Sequence, residues 1–345
     1  MQYYDFGMYE EYNFQTSAGT AESDVAGVYM NMVTRSGGNE LKGTQSAYFM
    51  NDSMQGTNVD EGGGNEIDKT YDLNGTIGGP IMKDKLWFFG SGRWWRLDQW
   101  VAGARNIDGS RVMDDNRITN LMGKVTWQIN PNSRFFLMAN KNWKYRYHRN
   151  LTEDNFAETI ATNFQKQPAQ NYVFNYNQVI GTKAVLDVRF GRMWGETPYL
   201  YQDEVDQSDL RSAHYSDSGT GLASRSGWYE YRNPNHRYQF NANMSYYADN
   251  FAGGTHDFKF GFQVGREKMV ENDIRIGDTH LHGINGVADE AILYNTPYDS
   301  DVRLNTYGIF LQDAWNIGAR ATLNVGLRME PGGGSISRTR IANFV

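Results

Sequence analysis

The sequence predicts an all-β protein, an antiparallel β-barrel wall that crosses a membrane, and three observations predict it. Apolar and polar residues alternate with a period of two over stretches longer than soluble strands, whose mode is near 5 or 6 residues. The connections between those stretches alternate, without exception, between short and long. Tryptophans gather near the ends of the stretches, where amphipathic rings mark a membrane surface.

The stretch Tyr71 to Arg96 shows the pattern. Tyr71, Leu73, Gly75 and Ile77 take one side of a strand, and Asp72, Asn74, Thr76 and Gly78 take the other. Gly78, Gly79 and Pro80 break the alternation because glycine permits tight backbone geometry and proline cannot donate to a ladder. Lys83-Asp84-Lys85 must be solvated, and the residues from Leu86 return as the second strand of a hairpin.

Residues 1–40 differ from the rest. Acidic Glu10, Glu11, Glu22 and Asp24 lead into a short alternation from Val25 to Val33, which ends in Ser36-Gly37-Gly38-Asn39 and reads as the end of a small separate unit. From there on strands are expected over 41–51, 71–96 as a hairpin, 117–129, 134–148, 170–180, 184–195, 235–248, 255–269, 304–316 and 319–329. That makes about eleven strands, most of about 10 to 14 residues, where a tilted strand needs about 9 to 11 to cross a bilayer. The clearest is 235–248, with Tyr238, Phe240, Ala242, Met244 and Tyr246 against Arg237, Gln239, Asn241, Asn243 and Ser245. Short connections fall at 80–85, 130–133, 181–183, 249–254 and 317–318; long ones at 52–69, 97–116, 149–169, 196–234 and 270–302. A barrel in a membrane has such short turns on one side and long loops on the other. Trp87, Trp94, Trp95, Trp127, Trp143, Trp194 and Trp315 lie near strand ends.

Composition narrows the function. In 345 residues there is no apolar run of the length a transmembrane helix needs, about 18. Aromatic residues make up 14% of the chain, with 37 Gly and 7 Pro, a β-rich balance. With no Cys, disulfides, thiolate metal sites and a cysteine nucleophile are all excluded. A net charge of −7 argues against a nucleic-acid partner, which would demand concentrated Lys and Arg. The N-terminal MQYYDFGMYEEYNF has neither the basic nor the apolar region of a signal peptide.

No constellation points to catalysis, a metal or a cofactor. His280 and His282 would share one face of a strand, but they fall in a predicted long loop without a third ligand. Asp60, Glu61, Glu66 and Asp68 lack the spacing of a calcium loop, and Asp203, Glu204, Asp206 and Asp209 read as a solvated acidic loop. Gly90-Ser91-Gly92 lacks the later residues of a phosphate-binding fingerprint; it reads as strand glycine that lets another backbone come close. The polar face carries the functional expectation: Asn175, Asn177, Asp187, Arg189, Arg237, Asn241, Asn243, Lys259, Gln263 and Arg328 would line a lumen, where they must bond to protein, water or solute.

Three segments then show a resemblance. Gly27 to Gly43 (GVYMNMVTRSGGNELKG), Gly75 to Ser91 (GTIGGPIMKDKLWFFGS) and Tyr307 to Glu330 (YGIFLQDAWNIGARATLNVGLRME) resemble TonB-dependent outer-membrane transporters of the Oar-like group, in register over nearly the whole chain. The resemblance implies a 22-stranded barrel in the outer membrane, occluded by an N-terminal plug. It implies import of a scarce solute such as an oligosaccharide, peptide or metal chelate, energised by an inner-membrane TonB-type partner that engages a segment outside this chain. Residues 1–40 would end the plug, and 41–345 would form about half of the barrel. The chain would then be an internal fragment, an open curved wall with residues 1–40 against its polar side, and its closing RIANF would be a mid-barrel loop segment. The alternative is a non-transporting surface β-protein, an adhesin or a soluble carbohydrate-binding or hydrolytic domain.

Overall fold

The computed structural model describes residues 3–16, 21–22, 27–56, 58, 64–150, 156–318 and 320–340. β1 (Tyr9–Gln15) and β2 (Tyr29–Thr34) pair only with each other, as an antiparallel hairpin. The long strands that follow are β3 (Lys42–Asn51), β4 (Glu66–Met82), β5 (Leu86–Arg105), β6 (Arg111–Asn130) and β7 (Ser133–Arg149). After the two-residue β8 (Phe156–Ala157) come β9 (Asn163–Ile180) and β10 (Ala184–Gly195). Short β11 (Tyr215–Asp217), β12 (Leu222–Ser224) and β13 (Glu230–Arg232) precede β14 (Asn235–Phe251) and β15 (Gly254–Ile274). The hairpin β16 (Thr279–Ile284) and β17 (Val287–Leu293) leads to β18 (Tyr298–Ile317), β19 (Ala321–Met329) and β20 (Gly332–Arg340).

The long strands form one antiparallel sheet in the order β3-β4-β5-β6-β7-β9-β10-β14-β15-β18, with β19 and β20 both on the far side of β18. Met329 stands opposite Ile309 and Gly332 opposite Thr306, so β19 and β20 keep one register and act as a single eleventh strand broken at Glu330-Pro331. Pro331 has no N–H to give, which interrupts the ladder without shifting it. The sequence hides β20 because Gly332, Gly333 and Gly334 look like a turn. Residues 341–345, expected to be a loop, lie outside the described residues. Among the described residues no ladder joins β3 to β19 or β20, so the sheet is an open wall rather than a closed barrel.

The strands are longer than the sequence predicts. β5 and β6 have 20 residues each and β15 has 21, and the excess lies at the long-connection end. The expected loop 97–116 is mostly ladder, with Gln99 opposite Asp114 and Trp100 opposite Met113. Hydrophobic alternation ends where an apolar environment ends, but backbone pairing continues in water and is tied there by charges. Arg146 meets Asp114 at 2.5 Å, His148 meets Asp115 at 2.8 Å and Arg111 meets Glu66 at 2.5 Å across strands.

Each strand separates two faces. Outward stand Leu73, Ile77, Trp94, Leu121, Phe190, Phe260, Phe262, Ile309, Val325 and Leu327, all exposed and with Leu327 at 67%. Inward, Phe89, Met122 and Met138 are buried with Met8 and Tyr9 in a cluster beneath the β1–β2 hairpin. So large an exposed apolar face is untenable in water and suits lipid. Neighbours on one strand should therefore differ: Phe240→Arg should destabilise the folded protein by about 2–4 kcal/mol near the bilayer midplane, and Gln239→Arg by about 1 kcal/mol or less. Reversible unfolding from lipid vesicles measures both, and equal losses would show that the two faces do not separate lipid from lumen.

Candidate functional site: the polar face and the segment it holds

The inner face is organised by what residues 3–39 present to it. Asp5 caps the first turn of Phe6–Met8 by accepting from the Gly7 amide at 2.9 Å, which leaves its carboxylate aimed at the wall. Asn74 donates to it at 2.5 Å and the Ser91 hydroxyl donates to its other oxygen. Asn142 donates to the Tyr3 carbonyl at 2.5 Å, while the Lys144 ammonium donates to the Tyr3 hydroxyl at 2.6 Å and sits 4.3 Å from its ring centroid. Further along, buried Lys124 donates to both the carbonyl and the hydroxyl oxygen of Thr34 at 2.9 Å. Asn39 then ties the segment to the β4–β5 turn, donating to Asp84 at 2.5 Å and accepting from the Trp87 indole at 2.8 Å.

Close backbone approach happens at Gly37. A Cβ there would stand 2.1 Å from the Phe88 carbonyl oxygen, so any other residue would push the segment off the hairpin. Gly90 and Gly92, where such an approach was expected, lie instead on the outer face; a Cβ on Gly92 would merely touch Leu121 at 3.4 Å. Ser91 between them is the residue that points inward, to Asp5.

The ten residues expected to line a lumen fall into separate groups. Asn243, Lys259, Gln263 and Arg328 converge on Glu22: Asn243 donates to its carboxylate at 3.2 Å, Lys259 forms an ion pair with it, and Gln263 and Arg328 donate to its backbone carbonyl at 3.2 Å. Arg328 also donates to Gln263 at 2.7 Å. Asn175, Asn177 and Arg189 surround Asp187, at 2.9 Å for Asn175 and 2.8 Å for Arg189. Arg237 pairs with Glu267 at 3.1 Å, and Asn241 accepts from Gln239 at 3.5 Å. Asn74, Ser91, Asn120 and Lys124 were not among the expected lining residues, although the same two-residue period places them on this face.

The long connections gather into a cap. β11 runs parallel to β16 and β12 parallel to β8, so segment 196–234 is joined to 270–302 and to 149–169. Buried Asp217 fastens the first two, accepting from the amides of Gly219 and Thr220 at 2.9 Å, of Asn285 at 3.0 Å and of Gly286 at 2.6 Å. These amide donors, Gly286 first, hold its carboxyl far below the usual aspartate range. Beside it His214, Trp228, His280 and Tyr294 pack ring to ring, His280 lying 4.9 Å from Trp228 and 4.7 Å from Tyr294 between centroids. Burial pushes the His280 pKa down to about 4 and lowers that of His214, so both imidazoles are neutral at pH 7. His282 points elsewhere, with Asp289 at 3.7 Å. Asp206 and Asp209, from the expected acidic loop, each cap a turn of their own chain. Among the described residues no three His, Asp or Glu side chains stand together as a metal site; Asp60 and Glu61 lie outside them.

Long strands with one lipid-suited face, one polar face that grips an inner segment, and connections that alternate in length define the wall of an outer-membrane β-barrel. The chain belongs to the outer membrane beta barrel domain family, whose model matches residues 33–107 and 101–345. It is 23% identical over 88% of its length to the TonB-dependent transporter Oar of Myxococcus xanthus, and spans 38% of that protein. Its fold is similar to that of the outer-membrane transporter YddB from Escherichia coli, with a TM-score of 0.71 and 13% identity over 97% of this chain and 45% of the other. FpvA of P. aeruginosa, solved bound to pyoverdines, gives a TM-score of 0.67 and 10% identity over 98% and 44%. The Oar-like resemblance read from the sequence holds, and the chain is located in the outer membrane.

A carboxylate with a depressed pKa contributes its stabilisation in full above the ordinary value and loses it only as pH falls through the depressed one. The cap should stay protected from protease and hydrogen exchange as pH falls past the ordinary 3.8, and open only well below it. Asp217→Ala should expose 215–224 and 283–287 at neutral pH while β14 and β15 stay protected; unchanged protection would show that other contacts hold the cap.

Proposed function

We propose that this chain forms the wall and the end of the plug of a TonB-dependent transporter that imports a scarce solute, such as an oligosaccharide, peptide or metal chelate, and performs no covalent chemistry. Residues 1–40 act as the end of the plug and residues 41–345 as barrel. The carrying observation is the way the inner face holds the N-terminal segment. Asp5, Tyr3, Thr34 and Glu22 are gripped mainly by Asn, Ser, Lys, Gln and Arg side chains, bonds that water can replace one by one. Apart from its apolar anchorage at Met8 and Tyr9, a segment held so can shift within the barrel at modest cost. The ten polar-face residues expected from the sequence serve in this reading as lumen lining, with Asn243, Lys259, Gln263 and Arg328 as plug contacts. The cap faces the exterior, where it meets solute first, and an inner-membrane TonB-type protein supplies the energy. Oar, YddB and FpvA, named as transporters or solved with a pyoverdine, support this class without fixing the solute.

Uptake decides between transport and a passive surface role. Cells carrying the full-length protein should accumulate one member of a panel of labelled oligosaccharides, peptides and metal chelates, and accumulation should cease when the TonB-type partner is deleted or a protonophore is added. Surface binding that survives both treatments would support an adhesin or carbohydrate-binding domain instead. Orientation is tested separately. Cysteines at exposed Gln207 and Asp289 should react with an impermeant thiol reagent on intact cells, and one at exposed Asn132 should not; the reverse pattern would invert the topology.

A further inference from the structure

The outer face of β10, β14 and β15 carries a feature that passage of a solute through the lumen does not use. Six side chains form two cross-strand rows at the long-connection end: Arg192 opposite Tyr238 opposite Arg266, and Trp194 opposite His236 opposite Lys268. By the two-residue period these share the face of Phe190, Phe240 and Phe262, away from Asn243, Lys259 and Gln263, which hold Glu22. A cavity of about 550 Å³ opens there, lined by His236, Tyr238, Arg266 and Lys268.

The charges in this grid are only partly balanced by the described residues. The Arg192 guanidinium lies 5.9 Å from the Tyr238 ring centroid, and its buried Nε has no hydrogen-bond partner. Arg266 is exposed and makes no hydrogen bond or ion pair with the described residues. Lys268 meets Asp301 at 3.1 Å, but Arg303 holds the same carboxylate at 2.9 Å. Arg266 and Lys268 stand two residues apart on the same face of β15, about 7 Å by the rise of a strand, so their like charges repel. An anion resting on them removes that repulsion, and a guanidinium fork suits phosphate oxygens. Along the same strands the face turns apolar, with Phe240 and Phe262 at 6.5 Å between centroids.

We propose that this grid binds the phosphate of a net-anionic membrane lipid, with the cations on the headgroup, Trp194 and Tyr238 at headgroup level, and acyl chain along the Phe190, Phe240 and Phe262 strip. Cationic pockets at a bilayer surface recognise headgroups, and rings mark that depth. Free phosphate would satisfy the cations and leave the strip unused; a lipid uses both.

The test compares the full-length protein in detergent, stripped of lipid, with an Arg192→Gln/Arg266→Gln/Lys268→Gln variant, by native mass spectrometry during titration with phosphatidylglycerol, phosphatidylcholine or inorganic phosphate. Wild type should retain phosphatidylglycerol in preference to phosphatidylcholine, and the triple variant should need on the order of tenfold more of it. Lys141→Gln, a cation on the same face of β7 outside the grid, should bind as wild type does. Heat-dependent gel mobility reports folding; should the triple variant not fold, Arg266→Gln alone, at an exposed and unpartnered site, should still weaken retention. Equal retention by wild type and variant overturns the proposal, as does absence of a preference for the anionic lipid. Displacement of lipid by an equal concentration of inorganic phosphate would reassign the site to free anions, and a change in self-association with lipid retention intact would make it a protein contact.

Discussion

A backbone N–H or C=O without a partner costs several kcal/mol in hydrocarbon, and this constraint shapes the whole chain. Long ladders answer it. Every strand from β4 to β18 that spans the wall is paired on both sides over most of its length. Side chains are then left free to divide between the two faces. The outer one needs no internal partners because its environment is apolar; the inner one must find partners for Asn, Lys and Arg, and the N-terminal segment supplies many of them.

That division explains why the inner contacts are polar although a buried apolar cluster also exists. Met8 and Tyr9 sink among Phe89, Met122 and Met138 and fix one end of the segment. Glu22, far from them along the chain, is held by charge and hydrogen bonds from the described residues. The segment therefore has an apolar anchorage and a polar one, and the two respond differently to salt and to water entry: ion pairs are screened, and dispersion contacts are not.

Much of the wall was legible in the sequence because alternation is local. Tyr238 to Tyr246 and their polar neighbours sort to two faces with no knowledge of the fold, and the short turns at Asn130 to Ser133 and Gly181-Thr182 follow from Pro and Gly. The ladder within the expected loop 97–116 was illegible because water-exposed pairing leaves no apolar stripe, and β20 because three glycines and Pro331 mimic a turn. Of the candidate site, the residue types were legible and their partners were not. Asn243 and Glu22 are separated by 221 positions, and nothing in either neighbourhood announces the other. His280 was weighed with His282, two residues away, yet it packs against His214.

The role of Asp217 bears on how such a surface can change. Its carboxylate collects amide hydrogens from its own turn and from the tip of β16–β17, two excursions far apart in the chain. Both excursions supply donors to one buried carboxylate, so their lengths are linked: a residue inserted in one tip would leave a buried charge that the other must still solvate. Changes of length at this rim are therefore coupled, and the two excursions have fewer degrees of freedom than two independent loops would.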